Sequence, residues 1–314
     1  MKIKVGISSC LLGQEVRFDG GHKHSRLCTD ILTPYFDFVS ECPEVGIGLG
    51  IPRKPIRLIG TADAPKAVAT HDNALDYTEQ LIEFGQEKAK QHDDICGYIF
   101  MKSSPSCGLF RVKVYGENLY PEKGGGRGIY ANEITKAHPL LPVEESGRLT
   151  DPPLRENFIT RVFAYYNWQQ IVSEGLSHKA IIDFHVRYKY CLMAHSPKDY
   201  ATLGQMLADA GKSEPNELGE RYFAALMSTL SQLATRKTHT NVLMHLQGYL
   251  KKALSPDEKQ ELAKIIDQYR INQVPLIVPI TILKHHFANH PDPYIGKQAY
   301  LQPYPEDLSL RNAI

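Results

Sequence analysis

The chain changes character near its midpoint, and this change limits the folds it can adopt more than any other feature of the sequence. Before the midpoint, short β-branched runs at 2–8, 36–41 and 95–101 alternate with a helical pattern over 76–91. Alternating strands and helices are typical of an α/β domain with a mostly parallel sheet. We therefore predict a Rossmann-like α/β domain over residues 1–145.

The second half of the chain is predicted to be all-α. Apolar residues recur there almost throughout at the spacing of amphipathic helices, which indicates about six or seven helices over residues 155–314. In 255–270, for example, Ser255 can cap a helix, Pro256 suits the first turn and Glu258 completes a capping box.

A stretch without any period joins the two halves. Residues 138–153 are rich in proline and polar side chains, so we predict a linker there and place it at 146–154 between the two domains. Asp151, which is followed by two prolines, is a plausible cap for the first helix of the second domain.

Composition excludes several classes of protein. The 314 residues suffice for about two domains, and 42% hydrophobic with 23% charged residues is ordinary for a globular chain. No apolar run has the length of a signal peptide or a membrane span, so we predict a cytoplasmic protein without a membrane partner. Because the net charge is only +1, a nucleic-acid contact must use a local patch, and no DNA partner is expected.

Three cysteines follow predicted strands directly. Cys10 comes after "KVGISS", Cys42 after "DFVSE" and Cys107 after "YIFMKSSPS". The carboxyl ends of parallel strands meet at one edge of a sheet, where ligands bind. Since cytoplasmic thiols stay reduced, these three residues are candidates for one metal site.

The spacing of the cysteines leaves the kind of metal open. Thiolates select zinc, copper(I) or an iron–sulfur cluster, and a structural zinc site would need a fourth ligand such as His22 or His24. The alternative is that the cysteines are small buried hydrophobes. We accept that alternative for Cys96 and Cys191, which lie inside apolar patterns, and leave Cys28 undecided.

The motifs of the first half resemble a known enzyme family. The segments "SSCLLGQEVRFDGG", "ECPEVGIGLGIPRKPIRL" and "KSSPSCG", followed by "GGGRGIYANEI", are similar to the TudS family of thiouracil desulfidases across 1–145. Three separate motifs occur in the same order, which makes the match specific.

The second half resembles a different family. The segments "FHVRYKYCLMAHSPKDYATLG", "RKTHTNVLMHLQGYLKK", "VPLIVPITILKHH" and "YIGKQAYLQPYP", within 155–305, look like the YbgA family of helical domains. A chain with both halves resembles the RudS desulfidases, which remove sulfur from 4-thiouridine in tRNA.

The resemblance implies a 4Fe-4S cluster with three cysteine ligands, Cys10, Cys42 and Cys107, and one open iron. It also implies a catalytic carboxylate and a catalytic hydroxyl, which map to Glu44 and Ser104. In the expected reaction the open iron binds the thiocarbonyl sulfur, an activated water attacks the ring carbon, and hydrosulfide is released without net electron transfer.

Each catalytic assignment has an alternative. Glu44 can instead form a salt bridge with Arg53 or Arg57, and Ser104 can merely cap a turn. Glu41 is the second candidate base, although strand alternation should turn it away from the site. The neighbouring serines at 103 and 106 are interpreted as turn formers.

Basic residues in both halves are candidates for contacts with RNA. In the first half, "IPRKPIRL" and "KGGGRG" offer groups for a phosphate, namely Arg53, Lys54, Arg57, Lys123 and Arg127. Either segment is equally well explained as a solvated charge run or a flexible turn.

In the second half, Lys189, Arg236 and Lys237 lie in basic and aromatic segments that can contact an RNA backbone and a stacked base. Alternatively, the aromatic residues there, together with His185 and His239, pack the helical core.

The sequence thus predicts an iron–sulfur desulfidase that converts 4-thiouridine in tRNA to uridine. One alternative keeps the chemistry but assigns free thiouracil or thiouridine as the substrate. A second alternative, without catalysis, is a metal-containing module that binds RNA or senses redox state.

Overall fold

The computed structural model describes residues 2–116 and 120–314 of the chain. It divides into two compact units, Met1–Thr150 and Asp151–Ile314. The first unit is an α/β domain and the second is almost entirely helical, as the sequence predicted.

Strands in the described part of the first unit form two separate sheets. They are β1 Ile3–Ser8, β2 Phe36–Glu41, β3 Ile56–Gly60, β4 Pro65–Ala69, β5 Tyr98–Phe100, β6 Val114–Tyr115 and β7 Val143–Glu145. The larger sheet has the order β2-β1-β5-β7, and its strand pairs are parallel. The smaller sheet has the order β4-β3-β6, with β3 antiparallel to β4 and parallel to β6.

The centre of the parallel sheet is buried because β5 and most of β1 are apolar on both faces. Val5 and Ile7 of β1 and Ile99 of β5 have no exposed surface. The described part of this unit also has three α-helices: α1 Pro43–Gly46, α2 Thr78–Gln91 and α3 Ile129–Ala137. The register pairs Ser8 at the end of β1 with Glu41 at the end of β2, so both strands end at the same level.

The second unit contains seven α-helices within Asp151–Ile314, all of which the structure describes. They are α4 Pro152–Glu174, α5 His178–His195, α6 Pro197–Ala208, α7 Pro215–Ser231, α8 Arg236–Tyr249, α9 Pro256–Arg270 and α10 Ile277–Asn289. The predicted caps are confirmed at two of them. Asp151 accepts the Leu154 N–H, and Ser255 forms the capping box with Glu258.

The prediction of a linker without regular structure was wrong for much of 138–153. Strand β7 lies within this stretch and pairs with β5, a 3-10 turn covers Arg148–Thr150, and α4 begins at Pro152. The predicted linker 146–154 therefore overlaps the first turn of a helix. Strand β7 was missed because it has only three residues, two of them glutamates, whereas Pro152 and Pro153 were correctly expected at the start of a helix.

Among the described residues, no helix has the length and apolar character needed to cross a membrane.

Candidate active site

The three strand-end cysteines line one cavity at the carboxyl edge of the parallel sheet. Cys10 lies in the 3-10 turn Ser9–Leu12 after β1, Cys42 caps α1 directly after β2, and Cys107 lies in the loop after β5. The cavity has a volume of about 310 Å³ and all three residues contribute to its wall. Adjacent parallel strands bring them together although almost one hundred residues separate the first from the last.

Burial makes the three thiols reluctant to ionise in the absence of a cation. Burial raises the pKa of Cys10 to about 11, although the Arg17 guanidinium acts in the opposite direction. The pKa values of Cys42 and Cys107 are also raised, first by burial, and for Cys107 also by the neighbouring thiols. A cationic centre would offset this cost, because coordination deprotonates a thiol outright.

In residues 2–116 and 120–314, no three His, Cys, Asp or Glu side chains form a group that could hold one metal ion. The donor set itself, three cysteine thiols, fits an iron–sulfur cluster. Three soft thiolates on one cavity are the ligands that such a cluster takes.

Glu44 lies at the cavity wall and is held by two partners. Its Oε2 accepts hydrogen bonds from Arg53 Nη2 at 2.7 Å and from Arg53 Nε at 3.0 Å. Its Oε1 accepts a hydrogen bond from Ser106 Oγ at 2.7 Å. The ion pair with Arg53 is mostly shielded from solvent, with side-chain exposures of 7% for Arg53 and 13% for Glu44. The salt bridge considered from the sequence therefore exists, but it fixes the carboxylate inside the cavity.

Two serine hydroxyls connect the cysteine loop to this carboxylate. Ser104 Oγ accepts the backbone N–H groups of Ser106 at 3.3 Å and Cys107 at 3.1 Å, and lies 3.0 Å from Ser106 Oγ. Since Ser106 donates its only hydroxyl proton to Glu44, Ser104 must donate to Ser106. The result is a directed chain of hydrogen bonds from Ser104 through Ser106 to Glu44.

The contacts of the two serines differ from those expected from the sequence. Ser106 was interpreted only as a turn former, but it is 1% exposed, lines the cavity and contacts the carboxylate directly. Ser104 bonds its own loop and reaches Glu44 only through Ser106. The catalytic role of Ser104 stays a prediction, and Ser106 is the residue that the sequence reasoning missed.

Contacts from two other elements fix the cysteine loop. Ile129 N at the start of α3 donates to Pro105 O, and Ala131 N donates to Ser106 O, each at 3.1 Å. On the other side of the loop, Glu145 Oε1 accepts the N–H groups that follow Cys107, at residues 109 and 110. A loop with so many backbone bonds presents its side chains in one arrangement.

Glu41 also lines the cavity, but its carboxylate contacts two residues that lie off the cavity wall. Its Oε1 lies 2.9 Å from His92 Nε2 and 3.4 Å from Lys88 Nζ. Glu44, which receives the serine chain, is therefore better placed to be the base, and Glu41 stays the second candidate.

Of the first basic segment, Arg53 and Arg57 are engaged within the protein. Besides Glu44, the Arg53 guanidinium donates to Val16 O at 3.0 Å. Arg57 donates to Asn73 Oδ1 at 3.1 Å. Lys54 is exposed. The geometry thus favours a positioning role for Arg53 over the predicted phosphate contact.

The glycine-rich segment uses its backbone N–H groups within the domain. Gly126 N donates to Val112 O and Gly128 N donates to Gly108 O, each at 2.8 Å. Arg127 Nη1 donates to Thr135 Oγ1 at 2.6 Å. These groups were candidates for holding a phosphate, a role that stays a prediction; in the structure the glycine N–H groups bond the neighbouring loops, and Lys123 is exposed.

In the helical unit, two of the three basic candidates contact other residues of the protein and the third is exposed. Lys189 Nζ lies over the rings of Tyr190 and Tyr294, at 5.2 and 5.6 Å from their centroids. Arg236 donates to Tyr269 O at 2.7 Å, whereas Lys237 is exposed.

The two histidines of these segments belong to the helical core. His239 is 3% exposed and bonds Tyr300 OH at 2.8 Å, and burial lowers its pKa well below the usual value. His185 stacks on Tyr200 and is 9% exposed. The alternative of core packing applies to both.

The other cysteines and the two candidate zinc ligands lie off the cavity wall. Cys28, Cys96 and Cys191 are each at most 4% exposed. His22 and His24 are exposed, and neither contributes to the wall.

Comparison with known proteins assigns each half of the chain separately. Residues 5–146 match the family described as 2-thiouracil desulfurase, and residues 189–305 match a family described as protein of unknown function DUF1722. The uncharacterized protein YbgA of Escherichia coli K12 is 34% identical over 159 residues, which are 50% of this chain and 94% of that protein.

One solved structure, described as the 4Fe-4S-dependent thiouracil desulfidase TudS, is 26% identical to this chain. The matched region is 48% of this chain and 95% of the chain in that structure, with a TM-score of 0.38.

Proposed function

Because the chain belongs to the YbgA family and carries a 2-thiouracil desulfurase domain over residues 5–146, we propose that it removes sulfur from a thiolated pyrimidine, namely 4-thiouridine in tRNA. The reaction is a hydrolysis that yields uridine and hydrogen sulfide. The observation that carries the proposal is the presence of Cys10, Cys42, Cys107 and Glu44 on one cavity.

Cys10, Cys42 and Cys107 would hold the 4Fe-4S cluster, since their thiols share the cavity wall and burial leaves them in need of a cation. When bound, a cluster with an open iron supplies a Lewis acid for the thiocarbonyl sulfur.

The protein's own task is then to deliver a water molecule to the ring carbon. Glu44 Oε1 takes a proton from the water, and the water oxygen forms the new bond to the carbon while the carbon–sulfur bond breaks. Both water protons leave with the sulfur, so the products balance and no electrons are transferred. A carboxylate offers about four acceptor positions, and Arg53 and Ser106 occupy only part of them.

Arg53 and Ser106 hold Glu44 in the orientation that this transfer needs. The guanidinium fixes one carboxylate oxygen from one side, and the serine chain aligns the other. A misplaced base loses much of its rate advantage even when its chemistry is intact.

Replacing Ser106 by alanine should lower kcat by about 10- to 100-fold, since a base that loses its alignment forfeits part of the 10²–10⁴-fold of general base catalysis. The measurement is steady-state sulfide release by cluster-loaded protein. Ser103→Ala is the matched control, because Ser103 lines the same cavity outside the serine chain and should stay within a few-fold of the wild type. Equal rates for Ser106→Ala and wild type would remove Ser106 from the mechanism.

The helical unit supplies the proposed contact with tRNA. Lys237 is exposed at the start of α8, and the Lys189 ammonium lies 5.6 Å from the ring centroid of Tyr294, which is partly exposed. A cation beside aromatic rings suits a phosphate next to a stacked base.

The substrate is tested with the full chain, loaded with cluster under anaerobic conditions. Loss of thiocarbonyl absorption is followed with thiolated tRNA and, separately, with free 4-thiouracil. We expect turnover of the tRNA, with a KM that rises for Lys189→Gln and Lys237→Gln but not for Lys212→Gln, whose ammonium is paired with Asp209. Neutralising one phosphate contact should also reduce the slope of log KM against log salt by about one.

The other outcomes separate the alternatives. Turnover of the free base alone would make the helical unit an accessory and contradict the tRNA assignment. Turnover of neither substrate would overturn the enzymatic proposal in favour of a metal-containing binding or redox-sensing module.

A further inference from the structure

Arg17 and Phe18 line the cavity that holds the three cysteines, yet the proposed proton transfer uses neither. The loop that carries them turns back on itself. Arg17 N donates to Gly21 O at 3.2 Å, and Gly20 N donates to Arg17 O at 3.0 Å. The two side chains are therefore presented from an ordered turn.

The same loop is attached to the residue that holds Glu44. Arg53 N donates to Phe18 O at 2.9 Å, and Arg53 Nη1 donates to Val16 O at 3.0 Å. Arg53 thus fixes the Arg17–Phe18 wall and the carboxylate relative to each other. A ligand that rests on this wall is placed at a defined position with respect to Glu44.

Phe18 has the properties of a stacking surface. It is 37% exposed although it lines the cavity, so part of its ring is open to a ligand. The wall also contains apolar side chains from Val16, Pro55, Ile56 and Met101. An aromatic ring on the wall of the cavity that also carries the three cysteines suits a flat base stacked beside them.

Arg17 supplies a hydrogen-bond donor that the described protein atoms leave unused. Its Nε is buried and has no hydrogen-bond partner among the described residues. The nearest carboxylate oxygen, Asp19 Oδ1, lies at 3.8 Å, which is too long for a hydrogen bond. Because a buried donor without a partner is costly, a turn of the Arg17 side chain, which lies on the cavity wall, would relieve that cost by bringing the guanidinium to an acceptor atom of a ligand.

We propose that the pyrimidine base stacks on Phe18 while Arg17 donates a hydrogen bond to the ring carbonyl oxygen that is not replaced by sulfur. This inference rests on the proposed function and names how the site selects its substrate. The site would prefer a thiopyrimidine with a second carbonyl oxygen, such as 4-thiouracil, over pyrimidine-4-thione, which lacks that oxygen. A site built to bond a carbonyl rejects the analogue without it because the donor is left unpaired.

Phe18→Leu tests the stacking. Since an aromatic side chain contributes about 1–3 kcal/mol per stacked base, KM for 4-thiouracil should rise by about 5- to 150-fold while kcat changes little. The inhibition constant of the product uracil should rise in parallel, and the visible absorption of the cluster should stay the same. Phe110→Leu is the matched control, because Phe110 is 40% exposed but lies off the cavity wall.

Arg17→Gln tests the hydrogen bond through its effect on the ratio of the kcat/KM values for 4-thiouracil and pyrimidine-4-thione. The wild type should show a higher kcat/KM for 4-thiouracil than for pyrimidine-4-thione, and the variant should bring this ratio close to one. Glutamine still offers N–H groups but is shorter and uncharged, so Arg17→Lys should restore part of the preference.

The inference is wrong if Phe18→Leu leaves KM and the uracil inhibition constant unchanged, or if Arg17→Gln leaves the ratio unchanged. A wild-type protein that converts neither these free compounds nor thiolated tRNA would instead overturn the proposed function.

Discussion

Replacement of Glu44 by glutamine is expected to abolish sulfide release while the protein keeps its cluster. Glutamine has the size of glutamate and can still accept the hydrogen bond from Ser106, but its amide cannot take a proton from water. General base catalysis contributes about 10²–10⁴-fold, so kcat should fall by at least 100-fold. The measurement combines single-turnover sulfide release with iron content and visible absorption, because these separate loss of the base from loss of the cofactor.

Glu41→Gln is the matched control for this experiment. Glu41 lines the same cavity and is equally shielded, but its carboxylate contacts His92 and Lys88. We expect Glu41→Gln to retain activity within a few-fold. The reverse result, an active Glu44→Gln protein and an inactive Glu41→Gln protein, would transfer the role of base to Glu41.

The glutamine variant also removes a charge next to Arg53, whose guanidinium is 7% exposed. Breaking a buried pair by neutralising one partner can cost about 3–5 kcal/mol, and this pair still has some access to solvent. Thermal unfolding of the variant should therefore be recorded. A lower Tm with unchanged iron content assigns the lost activity to the missing base.

The convergence of the cysteines was accessible from the sequence because it depends only on strand order and direction. Once β1, β2 and β5 are neighbours in a parallel sheet, the residues that follow them must meet at one edge. The caps at Asp151 and Ser255 were equally accessible, since each depends on residues within one helical turn.

The choice between Ser104 and Ser106 was not accessible, because it depends on contacts made far along the chain. Ser103 adopts a φ of 59°, and the start of α3 holds the carbonyl of Ser106. These constraints turn the Ser106 hydroxyl toward Glu44. The spacing of two residues between Ser104 and Ser106 does not by itself show which hydroxyl faces the carboxylate. A serine two positions from the predicted catalytic serine and next to a candidate ligand cysteine was the signal available.

The basic segments show the same limit. Arg53 and Arg57 read as a charge run, yet one holds Glu44 and the other donates to Asn73. The pair of Glu44 and Arg53 was named from the sequence as an alternative, whereas Asn73 lies in the loop after β4, and a one-dimensional pattern does not reveal that this loop meets Arg57 of β3. The smaller sheet was missed for a related reason: β6 has two residues and β3 pairs with it across more than fifty positions.

Loss of any one of the three strand-end cysteines is expected to have the largest effect on the protein. A cluster held by three ligands has no spare thiolate, so Cys10→Ala, Cys42→Ala and Cys107→Ala should each lose most of the iron, the visible absorption and all measurable turnover. The three cysteines line a cavity, so removing one sulfur atom enlarges an existing space and opens no new void in the core. Alanine should therefore leave the apoprotein folded, which far-UV circular dichroism and thermal unfolding would show.

The chain supplies its own controls, because Cys28, Cys96 and Cys191 are as buried as the proposed ligands but lie off the cavity wall. Their alanine variants remove a small apolar group and should cost stability without changing iron per protein. If a control variant loses iron as fully as Cys107→Ala does, burial and not coordination explains the effect. If Cys10→Ala or Cys42→Ala keeps its iron, the three-cysteine ligand set is wrong, whatever the fate of the activity. Iron content and turnover together therefore distinguish a failed ligand assignment from a failed proposal of desulfuration.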